Sequence, residues 1–348
     1  MFRKRFGLAA VAMLTAGLVA CSDGDEGGGT SASASTDNDD PINFVWYPNE
    51  SGQDMTSSRD AIGAIIEEAT GREVNHQLTT DYAIAIETLV NDNAEMAFMG
   101  AQGYIEANDR SDSIQPLVVQ SGSSGTIDDA VYYSWLAVNV DDEDAWKDGE
   151  EYNLDELEDK TMSFVSNSST SGFKVPASGI MAQFEDKDLS EEDLMEGGAL
   201  FSQVLFGNSH QGSAVNLLNG NADVAAFCDS CVENYVELVE GEDNRPGSVY
   251  KVKDDAAEPF NTVAGSEFVL ISVTPVLNAP FVANIDMLGE ETFNKLQEFF
   301  STDEVADNEE IFVPEDSEES ALFFKTENER FLPVEDDWFN PIRELSNK

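Results

Sequence analysis

Asn43-Phe44-Val45-Trp46-Tyr47, Glu73-Val74-Asn75-His76-Gln77-Leu78 and Met96-Ala97-Phe98-Met99 decide the fold. Each is a short strand-like run, and a helical pattern separates each from the next. From about Arg59, the residues Ile62, Ile65, Ile66 and Ala69 recur at i, i+3, i+4 and i+7, and Gly71 stops the run. Asp81 is placed to cap a second helix whose inner face carries Ile86, Leu89 and Val90. Gly100 opens the next turn. The rhythm is βαβαβ, which predicts a parallel sheet covered by helices.

Outward from this unit, the alternation continues. A strand is expected over 131–140, followed by an acidic loop (141–151), a strand over 162–165, a helix near 177–184, another over 211–218 and a strand over 223–227. The run 268–273 reads as a long strand that returns the chain to the first sheet, and helices near 287–300 complete it. Two α/β lobes joined by two crossing segments enclose a cleft. Ligand sites of open α/β sheets lie at the carboxyl ends of strands, where helix N-termini point.

The chain start bears on location. Arg3, Lys4 and Arg5 precede an apolar run from Phe6 to Val19, too short to span a bilayer and typical of a secretory signal. Leu18-Val19-Ala20-Cys21 fits a bacterial lipobox, so residues 1–20 read as a lipoprotein signal peptide and Cys21 as the lipidated first residue of the mature chain. Residues 21–40 then form a flexible linker that lacks large apolar groups. The 348 residues carry 69 Asp plus Glu against 18 Lys plus Arg, a formal charge of −51. Such a surface repels nucleic acid and anionic headgroups. The acids are scattered and match no calcium-loop spacing. They suit a protein that stays soluble where salt screens self-repulsion, as in a salt-loving organism.

The strongest local signal for chemistry is Ser168-Ser169-Thr170-Ser171-Gly172, between a strand and a helix, with Pro176 suited to the helix's first turn. Hydroxyls and free backbone N–H groups meet there, which makes an anion cradle without any basic side chain, although a polar loop with an ordinary N-cap fits the same residues. His210, just before a helix, reads equally as a second anion contact or as a structural histidine. Asp81-Tyr82 and Gly103-Tyr104 each stand at a strand-to-helix junction, where a phenol can donate to an oxyanion, although for either one alone a packing tyrosine fits better. Cys228-Asp229-Ser230-Cys231 follows a strand and begins a helix. It reads chiefly as a disulfide locking the turn, with a redox pair or half a zinc site as alternatives. That turn would present Asp229 at the cleft, where it accepts a hydrogen bond only from a ligand that keeps a proton. There is no G-x-S-x-G, Walker loop or H-E-x-x-H, so little supports an enzyme.

Together, Asp81-Tyr82-Ala83 with Ile86-Glu87, Gly100 to Tyr104, Ser169-Thr170-Ser171-Gly172 with Pro176, Ser209-His210-Gln211 and Ala222 to Ala226 resemble the solute-binding lipoproteins of phosphate/phosphite/phosphonate ABC importers. The resemblance covers nearly the whole chain from about residue 41. It implies a type II periplasmic-binding-protein fold: lobe 1 over 41–137 plus 265–348, lobe 2 over 138–264, and two crossover segments. It also implies that Ser169, Thr170 and Ser171 bind the phosphorus oxyanion, that Tyr82, Tyr104 and His210 line the pocket, and that Tyr47 forms another wall. The partners implied are a small phosphorus oxyanion, an ABC permease and ATPase complex, and the membrane through the N-terminal lipid, with no cofactor, metal or nucleic acid. Aminoalkylphosphonate binders of this kind carry an aspartate near the second crossover. Here Thr274 to Pro280 has no acid, which leaves phosphate, phosphite or a small alkylphosphonate. Two alternatives stay open: a lipid-anchored thiol–disulfide oxidoreductase using Cys228 and Cys231, and a sensor lipoprotein for the same anions.

Overall fold

The computed structural model describes residues 40–149, 151–317 and 319–347. The signal segment, Cys21 and all but the last residue of the expected linker lie outside them. Strand β1 (Ile42–Trp46) is buried on both faces, as a mid-sheet strand between helical layers must be. It pairs in parallel with β2 (Val74–Leu78) and β3 (Met96–Phe98). Helices α1 (Thr56–Thr70) and α2 (Tyr82–Val90) form the crossovers. Gly71 ends α1 in the left-handed region at φ 77°, where a glycine carries no Cβ penalty. Asp81 Oδ1 accepts the Ala83 amide at 2.7 Å and starts α2. Helix α3 (Ala101–Asn108) follows and leads to β4 (Ile114–Gln120).

The chain then builds a second sheet from β5 (Val131–Asn139), β6 (Thr161–Phe164), β7 (Gln203–Phe206), β8 (Val224–Cys228), β9 (Val236–Glu240), β10 (Val249–Val252) and β11 (Glu267–Leu277), in the order β9-β10-β11-β5-β8-β6-β7. Helix α4 (Val175–Gln183) follows β6, and α5 (His210–Leu218) follows β7. Strands β12 (Pro280–Asn284) and β13 (Phe331–Pro333) return to the first sheet, whose order is β13-β4-β12-β3-β1-β2. Helix α6 (Glu290–Phe300) is set off from a turn at Ile285–Leu288 by Gly289, at φ 86°. Among the described residues no helix is long and apolar enough to cross a membrane.

Two expectations are corrected. The run 268–273 does not rejoin the first sheet: it lies within β11, paired antiparallel with β5 from Phe268 opposite Asn139 to Leu277 opposite Val131. The chain therefore passes between sheets at 121–130 and at Asn278-Ala279. Second, the first sheet is mixed. The βαβαβ portion is parallel, but β12 enters antiparallel between β3 and β4. Asn278 ties the two passages together. Its amide donates to Ala130 O at 3.0 Å and its Nδ2 to Gln120 O at 2.8 Å.

Candidate anion site between the two sheets

A cavity of about 280 Å³ opens between the sheets. Tyr47, Tyr82, Ser169, Thr170, Ser171, His210 and Asp229 all line it. No lysine or arginine is among its lining residues. The donors on its wall are neutral hydroxyls and an imidazole.

Ser169 follows β6 and caps the turn Thr170–Lys174 that feeds α4. Its Oγ accepts the Gly172 amide at 3.1 Å. Thr170 Oγ1 accepts the Gln102 amide, at the start of α3, at 2.9 Å. Tyr82 Oη accepts Asn49 Nδ2 at 2.7 Å. In each case an incoming bond uses an oxygen lone pair and leaves the hydroxyl proton to donate elsewhere. Ser171 Oγ and Tyr47 Oη are buried and make no hydrogen bond at ordinary distance, with the Tyr132 phenol beside Ser171. An unpartnered buried hydroxyl costs the fold about 1–3 kcal/mol, a cost that a ligand recovers. Burial raises the phenols of Tyr47 and Tyr82 well above their usual value, so both stay protonated.

His210 is the first residue of α5 and is buried. Its Nδ1 accepts the Cys228 amide at 3.0 Å, which fixes the neutral tautomer with the proton on Nε2. Nε2 stands 3.4 Å from Ser169 Oγ, beside the hydroxyl loop. Desolvation pushes the imidazole down to about 3, so it acts as a neutral donor at any physiological pH. The other histidine, His76, accepts Trp46 Nε1 at 3.0 Å on β2 and is structural.

Tyr104 is elsewhere. Its Oη donates to Asp336 Oδ1 at 2.5 Å, its ring lies 4.9 Å from Phe339, and it does not line the cavity. The reason is the face of α3: Gly103, not Tyr104, turns toward the site. Tyr47 Oη fills the space that a Cβ on Gly103 would need, at 1.8 Å. Cys228 and Cys231 form a disulfide, but the motif opens an isolated turn into β9 rather than a helix. The turn braces the site from behind, since Cys231 O accepts Gln211 Nε2 at 3.1 Å while Cys228 holds His210. Asp229 Oδ1 accepts the Tyr133 amide at 2.9 Å, and desolvation lifts its carboxyl to about 7.

The sequence reading missed Asn49, Glu50, Tyr132 and Gln211, all on the cavity wall. Asn49 and Glu50 follow the carboxyl end of β1, the place where α/β sites are built, and that position was the available signal. Asn49 also reaches across: its Oδ1 accepts the His210 amide at 3.1 Å and its carbonyl accepts Gln211 Nε2 at 3.2 Å. Tyr132 opens β5 at the passage between sheets, and nothing local marks it.

A family model described as the periplasmic substrate-binding protein of phosphonate ABC transporters matches residues 44–339. The chain belongs to that family. This phosphonate-transporter binding protein is 28% identical over 302 residues to the phosphate-import protein PhnD of Mycolicibacterium smegmatis, a match that covers 85% of this chain and 80% of the relative. Its fold resembles the binding-protein component of an ABC phosphonate transporter from Pseudomonas aeruginosa (TM-score 0.63, 22% identity, 88% of this chain and 86% of that one). It also resembles PhnD1 of Prochlorococcus marinus, solved with methylphosphonate (TM-score 0.62, 15% identity, 89% and 97%). Its homologues are transporter binding proteins, which are not enzymes. In this binding protein the two sheets are bridged by side chains. Thr170 meets Gln102, Ser168 Oγ donates to Glu106 Oε2 at 2.7 Å, and Tyr235 Oη donates to Asp54 Oδ2 at 2.6 Å.

Proposed function

We propose that this binding protein captures a small phosphorus oxyanion, namely phosphate, phosphite or a small alkylphosphonate, and delivers it to an ABC permease and ATPase complex. The ligand sits between a lobe built on the first sheet and a lobe built on the second, with Ser169, Thr170, Ser171, Tyr47, Tyr82 and His210 donating to its oxygens. Cys21 carries the lipid that holds the protein at the outer face of the membrane, and the acidic exterior keeps it soluble in salt. One observation carries the reading. The cavity gathers hydroxyl and imidazole protons whose oxygen or nitrogen partners are already set, and it contains no cation. Distant acidic charge is screened within about 10 Å at moderate salt, while these donors act at contact. Gln211 adds selectivity. Its Nε2 is spent on the carbonyls of Asn49 and Cys231 and its Oε1 has no partner, so it welcomes a P–OH and gains nothing from sulfate.

The test is a thermal-shift and calorimetric screen of phosphate, phosphite, methylphosphonate and sulfate on the purified protein. A ligand that binds only the folded state raises the melting temperature. At least one phosphorus oxyanion is expected to do so at micromolar concentration, and sulfate is not. No shift with any of the phosphorus anions would overturn the proposal. The thiol-exchange alternative is weakened by the burial of Cys228, which is 0% exposed. The disulfide's support of His210 and Gln211 makes its own prediction. Reduction of Cys228–Cys231 frees the turn that positions both and is expected to weaken anion binding about tenfold, the worth of one well-placed hydrogen bond. Calorimetry with and without a phosphine reductant measures it; equal affinity would show that the turn holds without the bridge.

A further inference from the structure

We propose that Glu50 is a ligand-binding residue of this site and holds one proton jointly with an oxygen of the bound anion. The inference rests on the anion-binding reading above and goes further, because it fixes how many protons the loaded site contains. Glu50 ends the single turn Pro48–Glu50 after β1, lines the cavity and is 9% exposed. Its Oε2 is buried with no hydrogen-bond partner.

The surroundings give a carboxylate there no cation to rest on. Arg59 packs against the same turn, but its guanidinium is spent on other groups: Nη1 on the carbonyls of Glu50 and Gly52, Nη2 on Thr56 Oγ1. The other titratable groups that sense Glu50 are Tyr47, Tyr82, Tyr132 and Tyr235, phenols that burial keeps protonated. Burial lifts the Glu50 carboxyl to about 8, and hydrogen bonds from its own backbone amide and the Asn49 side chain, then the Arg59 charge, offset this only in part. A tetrahedral oxyanion and an ionised Glu50 would be two buried like charges side by side. A neutral carboxyl removes that conflict and becomes one more donor.

Asp229 does not fill this role. Its Oδ1 is taken by the Tyr133 amide, and Asn244 supplies a further side-chain hydrogen bond. Of the other acids on the wall, Glu233 is exposed to solvent, and Glu329 has both carboxylate oxygens taken, by the Thr326 and Glu327 amides and the Thr326 hydroxyl. Glu50 alone among these acids presents a spare buried oxygen to the cavity.

Proton balance supplies the test. At pH 6 Glu50 already carries its proton. At pH 9 it does not, so binding a dianion draws one proton from buffer onto the Glu50–ligand pair. Titration of methylphosphonate into wild type and Glu50→Gln, in two buffers of different ionisation enthalpy, counts the protons taken up. Wild type is expected to take up about one more proton per ligand than Glu50→Gln at pH 9, and the difference is expected to vanish at pH 6. Correspondingly, wild-type affinity should fall with rising pH about tenfold per unit more steeply than that of the variant above pH 8. Equal proton counts for the two proteins at pH 9 would overturn the proposal while leaving the anion site intact. Should the variant not fold, the wild-type count still decides: no proton uptake at pH 9 overturns the proposal. No heat from wild type with any phosphorus oxyanion would overturn the anion-binding reading, and this inference with it.

Discussion

Gly207→Ala is expected to destabilise the protein by about 3 kcal/mol and to abolish measurable anion binding. A Cβ on Gly207 would lie 2.2 Å from Ser213 N, 2.5 Å from Gly212 C and 2.7 Å from Ser213 Cα. All three are backbone atoms of α5, so no rotamer change relieves the clash. The reverse contact is as tight, since a Cβ on Gly212 would meet Gly207 O at 2.2 Å. The turn that holds this approach also feeds the Ser209 cap, whose Oγ accepts the Gly212 amide at 2.9 Å. Relief therefore requires the start of α5 to move, and with it His210 and Gln211. Gly179→Ala is the matched control. It adds the same methyl within α4, where nothing lies within 4 Å, and is expected to be neutral or to stabilise by up to about 1 kcal/mol. Chemical denaturation and calorimetry on the pair measure both effects; comparable stability of the two variants would refute the packing account.

Thr170→Ala is expected to weaken binding of a phosphorus oxyanion about a hundredfold with little change in the melting temperature of the ligand-free protein. Thr170 acts twice. Its hydroxyl proton is available to the anion, and its Oγ1 receives the Gln102 amide from the opposite lobe. A hydrogen bond to a charged partner contributes about 1.5–3 kcal/mol, and the bridge to α3 helps only when both lobes are engaged. The site has also been built around this side chain: a Cβ on Gly100 would stand 2.8 Å from Thr170 Oγ1. Thr170→Ser keeps the hydroxyl and is expected to restore most of the affinity. An affinity of Thr170→Ala within threefold of wild type would place the hydroxyl outside the binding set.

What was legible in the sequence was what local chemistry determines. Gly71 and Asp81 end and begin helices through their own backbone and side-chain preferences, and both do so in the structure. Ser169 caps the turn that its strand–hydroxyl–helix context suggested, and the loop lies beside His210 and lines the same cavity as Tyr82. Tyr104 shows the limit. A residue near a strand-to-helix junction is easily named, but which face of the helix it occupies depends on the neighbour it packs against. Here that neighbour is the C-terminal segment with Phe339 and Asp336, more than 200 residues away along the chain. Asn49 depends in the same way on distant chain, since its partners on α5 are His210 and Gln211. The sheet that the run 268–273 joins was not legible, because its pairing with β5 spans more than 120 residues of chain. Strand β10 pairs with β11 only over Glu267–Val269, so Pro275 lies where that edge is open and its missing N–H leaves no ladder bond unmade.

The absence of basic side chains from the cavity wall bears on unloading as much as on capture. A lysine or arginine left behind when an anion departs is a stranded charge, and stranding it slows the departure. Hydroxyls and a neutral imidazole accept water in the anion's place at little cost. The vacated cleft is therefore stable enough for cargo to pass onward and for the carrier to be reused. In a chloride-rich medium it also escapes the competitor that a cationic pocket would draw in.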